Sequence, residues 1–440
     1  VLGLFACHGS TLQAQTYKPY DMMVSGVKVI VHPARNKIIL VKTFLDGGVS
    51  TYPPAKAGLE YLTLTAQAEC GTLKDNKNSF KGKLNNVNAQ ITAASGSDYS
   101  SLALNCIDSD FDIVFPLYAD AINIPAFTPA DFLVARQNHA NFAKLMETFP
   151  DQAITDLAYA TAFAGKPYAT SPYGDSASIS SFSVAQVREH WRQLFTKSRM
   201  VIVVVADLPE KKIREALTPM LAKIPVGKKP VSTTMQKSQP VVFPSNTIRV
   251  APKKLETNYL YGITGAPSPG SPDYDAYAIA IRMFSDRQFL EIRSKNGLSY
   301  DPSVRLQNMK NSFTAITAST GEPDKFIVLT RQLIDSINKT GFTAVELQNK
   351  KSGYLTEEYM NMESNERMAS LLGRNELVNG NWRRALTLKD DISKVGVNEV
   401  NAAFKKYISR MSWVYLGNPE KVNPELFKQE QTPRSAKKAF

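Results

Sequence analysis

Arg293 and Tyr300 set a cation and a phenol on either side of the segment Ser-Lys-Asn-Gly-Leu-Ser. Helical periodicity over Asp273–Lys295 places Arg293 in a last turn. Gly297 can end that helix, and Tyr300 then begins a strand over Tyr300–Leu306, so both side chains could point at one face. Such a pair can orient a peptide and stabilise the negative charge that builds on a carbonyl oxygen during hydrolysis. Each residue alone has a plainer explanation. A cation near a helix C-terminus is favourable by itself, and a Tyr at a strand start is commonly core.

Other reactive side chains are sparse. The histidines are His8, His32, His139 and His190, and the cysteines are Cys7, Cys70 and Cys106. His139 and His190 stand alone on predicted helices and read as partly exposed helix residues. No G-x-S-x-G elbow or Cys-His cluster supplies a nucleophile. Cys70 and Cys106 could pair in an oxidising compartment, or be small buried residues; spacing does not decide between these.

The segment Ala57–Thr72, A-G-L-E-Y-L-T-L-T-A-Q-A-E-C-G-T, reads as an amphipathic helix closed by Gly71 after a strand over Ile38–Leu45 and a Gly47-Gly48 turn. In that context it resembles the active-site helix of the pitrilysin/insulinase zinc peptidases, which carry an inverted H-x-x-E-H motif. Set on Gly58-Leu59, the motif falls on Tyr61, Leu62, Thr63, Leu64 and Thr65. Aligned on Phe127-Thr128-Pro129, the family's third ligand, a Glu, falls at or near Phe142, and no Glu occurs between Glu69 and Glu147. Catalytic zinc needs three imidazole, thiolate or carboxylate donors. The resemblance therefore implies a degenerate zinc site at Tyr61, Leu64, Thr65 and Phe142, with no metal bound by this chain.

Further stretches resemble the same family in the same order. Ala89–Leu102 resembles its active-site hairpin, and Lys166-Pro-Tyr-Ala-Thr-Ser-Pro-Tyr-Gly174 its H-P-Y…G loop with Lys166 in place of His. Phe289-Leu-Glu-Ile-Arg293-Ser-Lys-Asn-Gly297-Leu-Ser-Tyr300 resembles its L-R-E-x-x-G-L-x-Y segment, whose Arg and Tyr reach the substrate near the scissile bond. The resemblance implies a substrate-binding role for Arg293 and Tyr300. Some members are heterodimers in which one chain carries zinc and the other this pair.

The chain also looks duplicated. Phe127-Thr-Pro-Ala-Asp-Phe132 is echoed by Phe342-Thr-Ala-Val-Glu-Leu347, Val187–Phe195 by Val400–Ile408, and Pro209-Glu210 by Pro419-Glu420, at an offset slightly over 210 residues. That period is far longer than a solenoid repeat. Strands are expected near 27–32, 38–45, 87–94 and 100–106 in the first half, and near 257–264, 300–306, 312–318 and 413–416 in the second. The expected fold class is α+β: two homologous α/β sandwich domains in tandem, each an antiparallel or mixed sheet with helices on one face. The expected boundaries are a residual signal segment over 1–20, a first domain over 21–225, a Pro/Ser/Lys-rich linker over 226–246, a second domain over 247–430 and a basic tail over 431–440.

The 440 residues carry a net charge of +12, with Lys and Arg scattered and no basic-aromatic stripe, so nucleic acid is not an expected partner. Val1–Gln15 reads like the end of a secretory signal, with cleavage after Ala14 or lipidation at Cys7 as alternatives. A bacterial periplasmic or secreted location follows, and no later run approaches a membrane span. The function implied by the resemblance is that of a non-catalytic subunit. It would lend Arg293 and Tyr300 to an H-x-x-E-H partner that holds the zinc, act on a peptide substrate, and be inactive alone. The alternative is a non-enzymatic scaffold or peptide-binding protein of the same fold. Sequence leaves open whether two copies form a homodimer.

Overall fold

The computed structural model describes residues 18–228 and 240–430. Most of the expected signal segment with Cys7 and Ala14, the middle of the expected linker, and the basic tail lie outside the described residues.

The first half contributes strands β1 (Tyr20–Val24), β2 (Val27–Pro33), β3 (Ile38–Leu45), β4 (Gln90–Ser95), β5 (Ser100–Ile107) and β6 (Met200–Ala206). Its helices are α1 (Leu59–Glu69), α2 (Lys77–Asn85), α3 (Phe111–Asn123), α4 (Pro129–Met146), α5 (Pro150–Ala162), α6 (Ser176–Ser181), α7 (Val184–Leu194) and α8 (Glu210–Ala222). The second half contributes β7 (Thr247–Pro252), β8 (Asn258–Gly265), β9 (Ser303–Gln307), β10 (Phe313–Thr320) and β11 (Met411–Gly417). Its helices are α9 (Tyr274–Phe289), α10 (Pro323–Thr340), α11 (Ala344–Met362), α12 (Asn365–Asn379), α13 (Arg384–Lys394), α14 (Val397–Tyr407) and α15 (Pro424–Lys428).

The two sheets repeat one topology. The first runs β1-β2-β6-β3-β5-β4 and the second β7-β11-β8-β10-β9. Strand β2 is parallel to β6 as β7 is to β11, and every other shared pairing is antiparallel in both. Strand β1 is an addition, hairpinned onto β2 through Ser25 (φ 49°) and Gly26 (φ 86°), the left-handed pair a tight two-residue turn needs. Boundaries shift slightly from expectation. Strand β4 starts at Gln90 rather than Val87, and β9 starts at Ser303 rather than Tyr300.

Strand β6 reads as an unbroken apolar run, and β3 as one interrupted only by Lys42 and Thr43, because both faces of the sheet are buried. One face, with Val29, Val41, Leu104 and Val204, packs on the half's own helices through Leu64, Phe80, Tyr118 and Leu217. The opposite face, with Ile30, Leu40, Phe44 and Val203, is covered from the second half by Met368, Ala369 and Leu372 of α12 and by Trp382. The exchange is reciprocal. Ile154 and Ala158 of α5, with Phe163 and Tyr168, cover Tyr261, Ile263, Phe313 and Val414 of the second sheet. Helices α5 and α12 hold the same place in the two repeats. Each half keeps its own helices on one face, as expected, and receives the other half's helix on the second. Burying each such aliphatic or aromatic side chain contributes roughly 1.5–3 kcal/mol, so the halves are one cooperative body.

Geometry enforces the seat of α12. A Cβ on Gly373 would overlap the Phe44 ring, so only glycine lets the helix approach β3 this closely. Lys42, 8% exposed, crosses the seam to Glu366 at 2.5 Å, and Lys28 and Arg383 pair with Glu376 and Asp21 across it. Buried Asp98, at the β4–β5 turn, accepts from Tyr168 Oη at 2.6 Å and from the Lys310 backbone N–H at 2.8 Å. Burial raises the Asp98 carboxyl, and those two bonds oppose the rise.

Candidate functional site

Helix α9 does not stop cleanly. It passes into a π-helical stretch over Leu290–Lys295, a wider turn that recurs at functional sites. The stretch closes with the Gly297 N–H donating to Arg293 O at 3.0 Å and the Leu298 N–H to Ile292 O at 2.9 Å, with Gly297 at φ 60°. The expected geometry is corrected in one respect. Tyr300 lies in the loop before β9 instead of opening a strand, because the left-handed Gly297 turns the chain away before it can pair. The two side chains nevertheless meet. The Arg293 guanidinium lies 4.3 Å from the Tyr300 ring centroid and 4.9 Å from that of Phe289. Phe289, one turn before Arg293, is a contact that sequence reading missed, although its i−4 spacing could have revealed it. Tyr300 is 79% exposed, so it is not core, and Phe289 and Leu290 are also exposed. No carboxylate pairs with Arg293 among the described residues. The result is a half-buried cation held against two exposed rings, with no carboxylate partner among the described residues.

The positions aligned with the zinc motif lie in the first half, at a corner built by α1, α4 and β4. Tyr61 lies 4.7 Å from His139 and 5.1 Å from Tyr173 between ring centroids, and His139 lies 6.3 Å from Phe142. His139 Nε2 is 3.0 Å from Tyr173 O, and burial holds its imidazole below the usual range, hence neutral. Leu64 is fully buried in the apolar core, and Thr65 Oγ1 is inaccessible and without a hydrogen-bond partner. Tyr61 and Phe142 thus stand around His139 as an aromatic cluster, while Leu64 points into the core. Among the described residues no group of three or more His, Cys, Asp or Glu could hold a metal ion. This donor set does not fit zinc.

The expectation that His139 and His190 are partly exposed is overturned: they are 4% and 8% exposed. His190 on α7 lies 3.2 Å from Oε2 of Glu60, whose other oxygen accepts from the Gly48 N–H at 2.7 Å. Burial alone would push the Glu60 carboxyl up, but the bonds from His190, Gly48 and Ser100 together hold it below its usual range. A Cβ on Gly47 would come within 2.8 Å of Glu60 Oε1, so the Gly47-Gly48 turn is shaped to admit this buried carboxylate. Cys70 and Cys106 are free thiols in separate apolar clusters, each pushed up by burial to about 12.

Both corners end at a sheet edge. Strand β4 pairs only with β5, and β9 only with β10. Each leaves a row of backbone groups open to an added strand.

Comparison with known proteins fits this geometry. Residues 181–354 match the family model described as the peptidase M16 inactive domain. An uncharacterized zinc protease of Mycobacterium tuberculosis is 22% identical over 337 residues, covering 74% of this chain and 75% of that protein. The uncharacterized zinc protease YmxG of Bacillus subtilis is 18% identical, covering 75% and 81%. Among solved structures, a peptidase M16 inactive domain from Pseudomonas fluorescens superposes with a TM-score of 0.83 at 18% identity, covering 92% of this chain and 99% of that one. The periplasmic protease PqqL of Escherichia coli superposes with a TM-score of 0.74 at 14% identity, covering 95% of this chain and 49% of PqqL.

Proposed function

We propose, from the premise that this chain is a member of the M16 peptidase family without its own zinc motif, that it serves as the non-catalytic subunit of a two-chain zinc peptidase. The observation that carries this reading is the contrast within one molecule. The α1 corner has aromatic and aliphatic groups where donors would stand, while the Arg293–Tyr300 stack is assembled with its Tyr300 ring exposed. A structural subunit has no need to leave a phenol at 79% exposure against an unpaired guanidinium. In the complex, a partner with H-x-x-E-H would supply the zinc and the base. Arg293 would hold the peptide carbonyl region by its charge, and the Tyr300 hydroxyl would donate to the oxygen on which charge develops. The open edge of β4 would add backbone pairing to an extended substrate. The relatives named as zinc proteases, and the periplasmic PqqL, support a proteolytic setting and an exported location.

The test pairs the purified chain with an H-x-x-E-H homologue from the same host and follows cleavage of an unstructured peptide. The chain alone is expected to be inactive, and the pair active. Arg293→Ala and Tyr300→Phe are each expected to lower turnover of the pair by about tenfold or more, the scale of one lost transition-state donor. Unchanged turnover in both variants would return the chain to the scaffold reading.

A further inference from the structure

The second-half corner differs from the first by holding a cavity of about 690 Å³ where the first holds an aromatic cluster. We infer that this cavity, between α9, α11 and β9, is a binding subsite for an extended peptide bearing a carboxylate, with Arg374 as the group that receives it. This goes beyond the two-chain peptidase reading and does not depend on it, since the isolated chain contains the whole cavity.

Charge balance is the first argument. Arg282 lies 3.9 Å over the Tyr354 ring and is paired with Glu357 at 2.5 Å and Glu358 at 3.3 Å. Lys350 is paired with Asp286. Those two cations thus face three carboxylates. Arg305 donates only to the Ser303 hydroxyl, at 2.8 Å. Arg374, reaching in from α12, has no carboxylate within ion-pair distance among the described residues. It is partly buried, and its Nε is inaccessible and without an acceptor. Glu358 and the neutral phenols of Tyr99, Tyr274 and Tyr354 lie within its electrostatic reach, and none forms an ion pair or hydrogen bond with it among the described residues. The lining holds four cations (Arg282, Arg305, Lys350 and Arg374) against three carboxylates (Asp286, Glu357 and Glu358), so one more anion balances the site.

Shape and polarity are the second argument. Val304, Arg305 and Leu306 are consecutive in β9, and all three line the cavity. Successive strand residues point to opposite faces, so a cavity touching all three abuts the strand's open edge instead of one face. That edge offers alternating N–H and C=O groups to an added strand. Asn308, just past β9, leaves an inaccessible Oδ1 with no donor. An extended peptide supplies what is missing: backbone pairing along β9, an N–H near Asn308 and a carboxylate for Arg374. The guanidinium suits a carboxylate because its fork matches both oxygens.

The carboxylate could be a chain terminus or an Asp or Glu side chain, and one experiment separates them. The isolated full chain is titrated into a short fluorescein-labelled Ala/Val/Ser peptide with a free C-terminus, and fluorescence anisotropy is followed. Two further arms use the C-terminal amide and the amide carrying one internal Glu. The free acid is expected to bind ~10-fold or more tightly than the amide. If the internal Glu restores binding, the site takes side-chain carboxylates; if not, it takes termini. Arg374→Gln is expected to abolish the preference. The isosteric Asn308→Asp, which adds a negative charge without changing volume, is expected to weaken acid binding by a similar factor and serves if Arg374→Gln does not fold. Arg192→Ala, on an exposed face of the first half and outside the cavity, is expected to bind like the parent. Equal binding of acid and amide by the parent chain, or acid binding unaffected by both cavity variants, overturns the inference. Failure of the two-chain assay leaves it standing.

Discussion

The corner made by α1, α4 and β4 and the one made by α9, α11 and β9 are copies of one design with opposite contents. In the first, Tyr61, His139, Phe142 and Tyr173 crowd together, and behind them a buried carboxylate, Glu60, is hydrogen-bonded by His190. In the second, paired charges ring an open cavity, and Arg374 is left over. The comparison teaches that a duplicated frame does not oblige its copies to share chemistry. Sheet and helix positions are held by the exchanged helices α5 and α12, so corner residues are free to diverge without loss of the fold. In the first corner the side chains became packing. In the second they stayed polar, and the stability they contribute is correspondingly smaller.

The largest expected effect tests the first corner. His190→Leu strands the Glu60 carboxylate, 0% exposed, without its main partner. Leaving a buried carboxylate without its hydrogen-bond partner costs about 3 kcal/mol or more, read as a fall in the denaturant midpoint at pH 7. The pH dependence reverses sign between the two proteins. In the parent the Glu60 carboxyl is held below its usual range, so its contribution is present above the unfolded-state value of about 4.3 and is lost as pH falls through the folded-state value. In the variant burial dominates and raises that carboxyl. Its penalty then appears above about pH 4.3 and is relieved on acidification. The stability gap between parent and variant should therefore narrow as pH falls from 7 to 4. A gap that widens would mean that Glu60 is not the group responsible.

The next effect tests the frame that permits the divergence. Gly373→Val pushes a branched side chain into the Phe44 ring and lifts α12 from the first sheet. Overpacking of this kind costs about 3 kcal/mol, and the loss should appear as a separation of the single unfolding transition into two. Gly353→Ala in α11 is the control. Nothing lies within 4 Å of an added Cβ there, so replacing a mid-helix glycine should stabilise by roughly 0.5–1 kcal/mol.

Which of these features sequence could reveal follows from the range of the interactions. Strand β6 was legible because two-sided burial writes itself as an apolar run, and β3 because Lys42 and Thr43 alone interrupt one. The duplication was legible because Phe127-Thr-Pro and Phe342-Thr-Ala start equivalent helices, α4 and α11, by the same capping chemistry; Thr128 and Thr343 each accept from the backbone N–H three residues on. Arg293 and Tyr300 were legible as a pair because seven residues with one left-handed glycine bring them together locally. The Glu60–His190 pair was not, since its members lie 130 positions apart and neither carries a mark of its partner. The exchange of α5 and α12 was hidden for the same reason. An apolar stripe such as Met368, Ala369 and Leu372 says that a helix will be covered, not by which sheet. Tyr61 and Phe142 were legible only as missing donors; that they gather around His139 is a three-dimensional fact.

The smallest expected stability effect comes from the second corner, and its smallness is the point. Arg282→Ala removes a cation that stacks on Tyr354 and bridges Glu357 and Glu358, so a count of contacts would suggest a heavy loss. Yet the Arg282 side chain is 32% exposed and Glu357 57%, so water and salt screen the pairs. Exposed pairs of this kind contribute about 1 kcal/mol or less, and the thermal midpoint should move by only a few degrees. The consequence for binding runs the other way. Without Arg282, Glu357 and Glu358 face the cavity uncompensated, and Glu358, whose carboxyl burial holds above its usual range and whose charge already acts on Arg374, loses its other cation. It would then compete with an incoming carboxylate. A variant that folds almost as well as the parent but no longer prefers the free-acid peptide would show that the second corner is organised around a ligand and the first around itself. Equal losses of stability at His190 and Arg282 would instead mean that the two corners are both packing.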